Sequence, residues 1–421
     1  MTARRLLFNL LSFFFILFIM SPAFGQEEEK KLEWSGNLDS KYIMLQTRPS
    51  SPFYQLNFYG AGNLSDYLSQ YKNDLYLNAD YQAKDAGFHL RTLSTYYNDS
   101  SATFSLLEAY GSLNLSQNSF IQAGKRAYNW GKGYAFNPVG YVNPQKDPEN
   151  PEQARPGIES MGIEYVKSID SGPLANYSFT GILIPAIETI NSRYAQLEDS
   201  DIALKTYFLL LDTDLDIMTY LSRANAKQVG FDFSKNIKEN FEIHGEWSSY
   251  WDNPKYVINN NSLNEQLNGG NSWLLGLRYL SQQETTVIAE YYHNGNGQTR
   301  NEYSAYQSFV SSVLAGGSVE AIRQAQSYSQ NYFGGSTLMQ DYLYCKISQP
   351  EPFNWLYFTP SLFTIYNLTD GSYLLSSPLS FKTFTNFELI LWPTIMVGAD
   401  GTEFGGKQIQ KRFELWMRFY F

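Results

Sequence analysis

The sequence contains almost nothing for covalent or metal-based stabilisation. Cys345 is the only cysteine among 421 residues, and the chain has three histidines. A single cysteine excludes any intramolecular disulfide and any cysteine-rich zinc site. The folded chain must therefore be held together by backbone hydrogen bonds and apolar burial.

Long apolar runs are also scarce, and the one run lies near the start of the chain. It spans residues 6–20, follows Arg4 and Arg5, and precedes the small residues of segment 23–25. This run is shorter than the roughly 20 residues that a membrane-spanning helix needs. A basic start, an apolar centre and a small-residue end are typical of a secretory signal peptide. We predict a signal peptide at 1–25 and a single exported domain at 26–421.

Cofactor motifs and a basic surface are missing as well. No phosphate-binding loop, dinucleotide fingerprint, calcium loop or CxxC motif occurs, so we expect neither a cofactor nor a metal. Without residues 1–25 the chain carries 29 basic and 41 acidic residues, a formal net charge of −12. Because nucleic-acid binding needs a basic surface, we expect no nucleic-acid partner.

Aromatic residues, in contrast, are abundant. The chain has 33 Tyr, 29 Phe and 8 Trp, while its mean hydropathy of −0.35 is that of a polar protein. A transmembrane β-barrel accounts for both observations, because each strand presents one apolar side chain in two to lipid and keeps polar side chains toward the lumen.

The last strand displays this alternation over the segment KRFELWMRFYF. One face carries Phe413, Leu415, Met417, Phe419 and Phe421, and the other carries Arg412, Glu414, Trp416, Arg418 and Tyr420. A strand of a soluble β-protein would also alternate. A final phenylalanine behind alternating apolar residues resembles the terminal assembly signal of Gram-negative outer-membrane barrels. The resemblance implies the barrel-assembly machinery and outer-membrane lipid as partners.

The same alternation recurs along the chain and predicts eighteen strands, with sixteen as the alternative. Their expected positions are 32–46, 73–83, 87–97, 104–115, 119–130, 157–168, 175–186, 202–212, 214–224, 227–236, 240–251, 271–281, 284–294, 338–348, 354–366, 374–383, 385–397 and 410–421. We therefore predict an all-β fold, an antiparallel up-and-down transmembrane barrel.

Connection lengths support this count, because short and long connections should alternate between the two rims. The short set holds 83–87, 116–119, 212–214, 236–240 and 349–353, the expected periplasmic turns. The long set holds 47–72, 131–156, 187–201, 252–270 and 295–337, the expected extracellular loops. Within 295–337, apolar residues at helical spacing around Val310 and Ile322 predict a short helical pair, split at Gly316 and Gly317.

The pattern as a whole resembles Gram-negative porins and substrate-selective outer-membrane channels, a class that includes polysaccharide-export barrels. The resemblance implies passage of a small hydrophilic solute that the sequence does not identify, in a protein of the outer membrane. A barrel of 16 to 18 strands leaves room for an aqueous passage. A closed barrel acting as a scaffold or adhesin stays open as an alternative, as does the oligomeric state.

Strand parity also predicts which charged residues line the lumen. One side of the barrel should carry Arg91, Arg126, Arg412 and Arg418, and the opposite side should carry Asp216, Asp232, Glu242, Glu246 and Glu290. Such a division would select solutes by charge. The alternative is a set of salt bridges and solvated wall residues.

His244 is the one residue that raises the question of catalysis. It stands between Glu242 and Glu246 on the lumen face of one strand, where it would serve as a general base or as one arm of a metal site. No second histidine lies on a neighbouring predicted strand and no serine nucleophile motif occurs. We expect a protein that is not an enzyme.

The segment WGKGYAFNPVGYVNP, at the start of 131–156, interrupts the alternation. Gly131 permits positive-φ backbone and the prolines oppose helix and sheet, so the segment should be stiff. The arrangement GKR…WGKG…NP resembles the strand-to-loop segment of porin-like families, whose third loop folds inward. The resemblance implies a constriction formed by Trp130, Lys132, Tyr134, Phe136, Asn137, Pro138 and Tyr141. A rigid external cap is the alternative.

Overall fold

The computed structural model describes residues 31–62, 64–98, 101–144, 146–186, 200–223 and 226–421. The predicted signal peptide lies outside these ranges. The strands in them are β1 (Lys31–Thr47), β2 (Tyr67–Gln82), β3 (Ala86–Tyr97), β4 (Ala102–Ser116), β5 (Ser119–Arg126), β6 (Ile158–Ser168), β7 (Leu174–Ile184), β8 (Asp201–Leu210), β9 (Thr213–Leu221), β10 (Lys227–Lys238), β11 (Phe241–Asn259), β12 (Ser262–Leu280), β13 (Thr286–His293), β14 (Asp341–Ser348), β15 (Phe358–Asn367), β16 (Tyr373–Ser376), β17 (Leu379–Phe384), β18 (Phe387–Val397) and β19 (Ile409–Tyr420).

These strands form one closed antiparallel barrel. Each strand pairs with its neighbours in sequence, and β1 pairs with both β2 and β19, which closes the sheet. β16 and β17 both lie between β15 and β18, so they are two parts of one wall position interrupted at Pro378, which has no N–H to donate. The barrel therefore has eighteen positions, which confirms the predicted all-β fold and rules out sixteen.

The outer wall is apolar. Exposed side chains around its middle include Met161, Ile163, Phe179, Ile217, Phe231 and Leu275. In the last strand, Phe413, Met417 and Phe419 are likewise exposed, and the chain end is fixed by paired backbone hydrogen bonds between Gly36 and Phe421 at 2.9 and 3.1 Å. A closed wall with this exterior pairs its own backbone groups, as a barrel in lipid must.

Four predicted connections are wrong in extent. The loop predicted at 47–72 ends at residue 66, because β2 begins at Tyr67. The segment 252–270 is not a loop, because β11 and β12 continue through it as a hairpin that turns at Asn260 and Asn261, both with positive φ. Asparagine tolerates this backbone region better than most residues. The expected turn at 349–353 extends to residue 357 and includes a short 3-10 turn at Pro352–Asn354. Strand β5 ends at Arg126, so Trp130 lies beyond it.

In the part of the chain that the structure describes, four α-helices lie at the rim that carries the long connections. They are α1 (Pro52–Asn57), α2 (Arg300–Gly316), α3 (Val319–Asn331) and α4 (Glu403–Gly406). The predicted helical pair within 295–337 is confirmed as α2 and α3, and Thr299 with Glu302 forms a capping box at the start of α2. None of the helices in the described ranges is both long and apolar enough to cross a membrane.

A new charge on the outward face of a strand should lower the stability of the barrel more than a new charge on its lumen face. Phe179 is 42 % exposed on the outer wall at the middle of β7. Phe179→Arg should lower the free energy of unfolding in lipid vesicles by about 2–4 kcal/mol, because its charge meets hydrocarbon. Thr180→Arg is the matched control, since Thr180 faces the lumen opposite Glu164. Denaturant unfolding followed by tryptophan fluorescence measures both, and equal losses would contradict the assignment of faces.

Candidate functional site

The connection between β5 and β6, residues 127–157, lies inside the barrel, and we call it the inner loop. It leaves β5 with the Ala127 N–H donating to Glu108 at 3.0 Å and returns to the same side, where the Gly157 N–H donates to the Leu107 carbonyl at 2.8 Å. Between these points it reaches side chains of β9, β10, β11 and β13, on the far wall. The inner loop therefore crosses the lumen.

Glu246 on β11 holds the first turn of the inner loop. Its Oε1 accepts the Lys132 and Gly133 N–H groups, both at 2.6 Å, and its Oε2 accepts the Val139 N–H at 3.3 Å. A carboxylate that receives three N–H donors is a strong anchor, because hydrogen bonds to a charged group are stronger than neutral ones. Gly131 makes this turn possible with φ near +92°, and a Cβ there would collide with the Asn137 side chain.

Glu290 on β13 holds the next part of the inner loop. Its two carboxylate oxygens accept the N–H groups of Tyr134 and Ala135, the latter at 2.9 Å, and His244 Nε2 lies 3.0 Å from the same carboxylate. Phe136 then stacks on Tyr292, with ring centroids 4.6 Å apart and planes at 18°. Carboxylate anchoring and aromatic packing thus fix the same few residues.

Lys132 is the inner-loop cation that meets the acids of β9 and β10. Its Nζ lies 3.0 Å from Asp216 and 3.9 Å from Asp232, and Lys205 on β8 lies 3.1 Å from Asp216. Burial alone would lower the pKa of Lys132, but the charges of Asp216 and Asp232 outweigh it and raise that pKa. Lys132 therefore stays protonated and offsets two buried carboxylates.

Both sides of the inner loop pack against the barrel wall. On one side Tyr128, Trp130, Val139 and Val142 form a buried cluster with Ile182, Ala203, Met218 and Tyr220 of β7, β8 and β9. On the other side Ala135 and Phe136 join a larger apolar cluster that includes Phe53 of α1 and Tyr306 of α2. The inner loop is therefore packed against the barrel wall on both sides.

The remaining predicted constriction residues also have defined contacts. The Asn137 side-chain amide donates to the Trp130 carbonyl, the Tyr141 hydroxyl donates to Ser248 at 2.8 Å, and Pro138 follows Asn137 at the turn. The Tyr134 hydroxyl accepts from Lys346 and donates to Glu152 at 2.7 Å. Burial, then the nearby Glu152 carboxylate, raises the pKa of Tyr134, so its phenol stays protonated as the donor in this bridge.

All nine charged residues predicted for the lumen face inward, but many are engaged or covered. Asp216, Asp232, Glu246 and Glu290 are buried beneath the inner loop. On the opposite side, Arg418 makes a double hydrogen bond to Asp39 at 2.7 and 2.8 Å, and Arg412 lies 2.9 Å from Glu149 of the inner loop and 2.7 Å from Glu414. The expected separation of charge is thus partly cancelled by local pairing.

A different environment surrounds the lumen faces of β3, β4 and β5. Here His89, Arg91, Tyr110 and Arg126 are neither fully buried nor covered by the inner loop's apolar clusters. Arg126 lies over the rings of Tyr110 and Tyr128, at 5.6 and 4.8 Å from their centroids, and Arg91 lies between Asn78 and Glu108 in register. This sector of the lumen wall therefore keeps partly accessible polar side chains.

His244 lies between the carboxylates of Glu242 and Glu290. Its Nε2 is 3.0 Å from Glu290, its Nδ1 is 3.6 Å from Glu242, and its ring is buried. Among the described residues, no three His, Cys, Asp or Glu side chains are grouped so that they could hold a metal ion. The contacts of His244 make it a wall residue that fixes Glu290, the anchor of Tyr134 and Ala135.

Sequence reasoning missed several residues that complete this site. Lys205 shares the inward face of β8 with Ala203, and strand parity could have identified it. Glu149, Asn143 and Lys146 belong to the inner loop, where no periodicity signals contacts. Asn143 accepts the Tyr128 N–H at 2.7 Å, and Lys146 donates to the Gly133 carbonyl.

The fold is shared with solved outer-membrane proteins. OccK9 (OpdG) of Pseudomonas aeruginosa has a TM-score of 0.55 at 8% identity, covering 92% of this chain and 98% of that one. A BenF-like porin from Pseudomonas fluorescens Pf-5 has a TM-score of 0.53 at 9% identity, covering 93% and 98%. Wzi of Escherichia coli, a carbohydrate-binding β-barrel involved in group 1 capsule assembly, has a TM-score of 0.52 at 10% identity, covering 91% and 83%. No protein-family model and no curated protein matches the chain. At these identities the likeness shows the porin-type barrel fold.

The anchoring role of Glu246 can be tested without changing its size. In Glu246→Gln an NH₂ group must face an N–H donor of the inner loop, so at least one hydrogen bond is lost along with the charge. A hydrogen bond to a charged group contributes about 1.5–3 kcal/mol, so amide exchange at Lys132, Gly133 and Val139 should accelerate at least about tenfold. Hydrogen–deuterium exchange measures this. Glu242→Gln is the control, because Glu242 contacts Ser234 and His244 and has no direct contact with the inner loop. Equal protection of these amides from exchange in both variants would refute the anchoring role of Glu246.

Proposed function

We propose that this protein is an outer-membrane channel for small hydrophilic solutes, narrowed by its inner loop. The observation that carries the proposal is the unequal cover of the lumen wall. The inner loop packs against lumen-facing side chains of β7 to β14, whereas lumen-facing polar side chains of β3 to β5 lie outside its apolar clusters and stay partly accessible. The solute passage follows this accessible sector.

Barrel size and loop position support a selective passage. A wall of eighteen positions encloses more space than side chains alone fill, and one loop packed across it reduces that space without filling it. The anchors Glu246 and Glu290 give the inner loop a fixed shape, which a constriction needs to discriminate among solutes. Lys132, Tyr134, Phe136 and Tyr141 set its position, with Trp130, Asn137 and Pro138 shaping its turns.

The charges along the passage favour anionic solutes. Arg91 and Arg126 lie on the accessible sector, where Glu108 is the register partner of Arg91. Arg418 and Arg412 lie nearby on β19, where Asp39, Glu149 and Glu414 offset part of their charge. A field at a narrow point raises the local concentration of solutes of opposite sign. The buried acids on the far wall act on the inner loop rather than on the solute.

The same proposal places the protein in the Gram-negative outer membrane. Signal peptide 1–25 directs export, and Phe413, Leu415, Met417, Phe419 and Phe421 present the assembly machinery with a terminal signal. The rim with the long connections faces the outside and the rim with the short turns faces the periplasm. The protein is not an enzyme in this proposal, since His244 is held by Glu242 and Glu290.

A closed barrel that presents its loops as a scaffold is the second candidate. One buried apolar cluster joins the inner loop through Phe136, α1 through Phe53, α2 through Tyr306 and α3 through Ile322. A cluster of this size across the mouth favours a plug that stays in place. Conductance separates this candidate from a channel.

Removal of the inner loop should widen the passage. Single-channel conductance in planar bilayers should rise on deletion of residues 134–150, and it should rise less in Glu246→Ala/Glu290→Ala, which keeps the loop but removes both anchors. Heat-modifiable gel migration shows whether each variant has folded. Unchanged conductance in the folded deletion would contradict a passage narrowed by the inner loop. If the wild-type barrel carries no current and the deletion variant does, the closed scaffold is favoured.

The arginines should determine charge selectivity. Arg126→Ala/Arg418→Ala should shift the reversal potential in a salt gradient toward lower anion preference, because two lumen cations are lost. Lys238→Ala/Lys382→Ala is the matched control, since both lysines are exposed near the short-turn rim and the net charge changes equally. Equal reversal potentials in the two double variants would refute selectivity by the lumen arginines.

A further inference from the structure

A cavity of about 490 Å³ lies at the long-loop rim, and we call it the rim cavity. It is bounded by α1, by the end of α3 with the segment that follows it, and by the chain between β18 and β19. Its volume falls in the range of small-molecule sites. It is separate from the accessible sector of β3 to β5.

The floor of the rim cavity is a row of stacked rings. Phe53 lies 5.2 Å from Tyr306 with planes at 23°, and Tyr306 lies 3.9 Å from Phe333 with planes at 15°. The rings come from α1, α2 and the segment after α3, and both faces of Tyr306 are covered by its two neighbours, so the stack gives the rim cavity an apolar lining. Such a lining suits the apolar part of a ligand.

The charged groups that line the rim cavity are already engaged. Glu403 accepts the Leu338 N–H, the Tyr342 hydroxyl and the Asn367 amide, each at 2.7 Å. Lys407 donates to the Ser336 carbonyl at 2.9 Å, and Glu149 lies 2.9 Å from Arg412. The lining carries two carboxylates, both with partners, against the single ammonium of Lys407, so it favours a neutral ligand over an anionic one.

The free hydrogen-bonding capacity belongs to side-chain amides. Gln326 donates to the Leu56 carbonyl at 2.8 Å, which leaves its oxygen available, and Asn57 donates to Gln408 at 3.3 Å, which leaves the Asn57 oxygen and the Gln408 NH₂ available. Gln330 adds an exposed amide at the edge. Each amide offers a donor and an acceptor. This combination matches a hydroxyl, which both donates and accepts hydrogen bonds.

We infer that the rim cavity binds a neutral carbohydrate of one or two rings. A sugar ring has an apolar face for the floor of Phe53, Tyr306 and Phe333, and its hydroxyls match Asn57, Gln326, Gln330 and Gln408. An anionic sugar binds less well, because the carboxylates of Glu149 and Glu403 outnumber the ammonium of Lys407 in the lining. The site does not depend on whether the lumen conducts.

Binding of maltose and cellobiose to the folded barrel tests the inference. The protein is kept in a detergent without a sugar headgroup, because a glycosidic detergent would occupy the cavity. Saturable binding of at least one disaccharide is expected by calorimetry or saturation-transfer NMR, and glucuronate should bind more weakly. No saturable binding of either disaccharide, or tighter binding of glucuronate, would overturn the inference.

Paired variants locate the site. Gln330→Ala/Gln408→Ala should weaken disaccharide binding at least about fivefold, whereas Gln283→Ala/Gln324→Ala, two glutamines outside the cavity, should leave it unchanged. Equal affinities in both would place binding elsewhere and overturn the inference. If heat-modifiable gel migration shows that the first double variant has not folded, Gln330→Ala alone replaces it. Conductance of the lining variants should stay at the wild-type value, so a lost ligand site and a failed channel proposal remain distinguishable.

Discussion

The pairing of β1 with β19 is the interaction on which the rest of this structure depends. It converts a sheet with two exposed edges into a closed wall in which each strand has partners on both sides. Closure fixes the parity of every strand, because cross-strand partners face the same side. The apolar exterior, the polar lumen and the positions of all lumen charges follow from that one constraint.

The second organising interaction is the capture of backbone N–H groups by wall carboxylates. An extended loop inside a barrel carries polar backbone groups that must be satisfied when they are buried. Glu246 and Glu290 satisfy those of Lys132 to Ala135, and Lys132 in turn offsets Asp216 and Asp232. The wall acids and the inner loop therefore stabilise one another, and neither arrangement would persist without the other.

These two interactions divide the interior into regions with different physical character. One side of the lumen is packed, with apolar clusters on both faces of the inner loop. The sector of β3 to β5 stays accessible and carries Arg91 and Arg126. At the long-loop rim, aromatic rings and amides enclose the rim cavity. Passage and ligand binding are therefore proposed for separate places in the same barrel.

The sequence by itself determined the barrel, the outward face of β19 and the helical pair α2 and α3, and it favoured eighteen positions over sixteen, because each rests on local periodicity or on connection length. The prediction was wrong at 252–270. The polar residues there indicate a loop, but they continue the hairpin of β11 and β12. Only the tertiary structure decided that Glu246 anchors Lys132, that Arg412 meets Glu149, and that Phe53, Tyr306 and Phe333 stack. These contacts join residues over a hundred positions apart or loops without periodicity, so no local pattern encodes them; closure of the barrel brings them together.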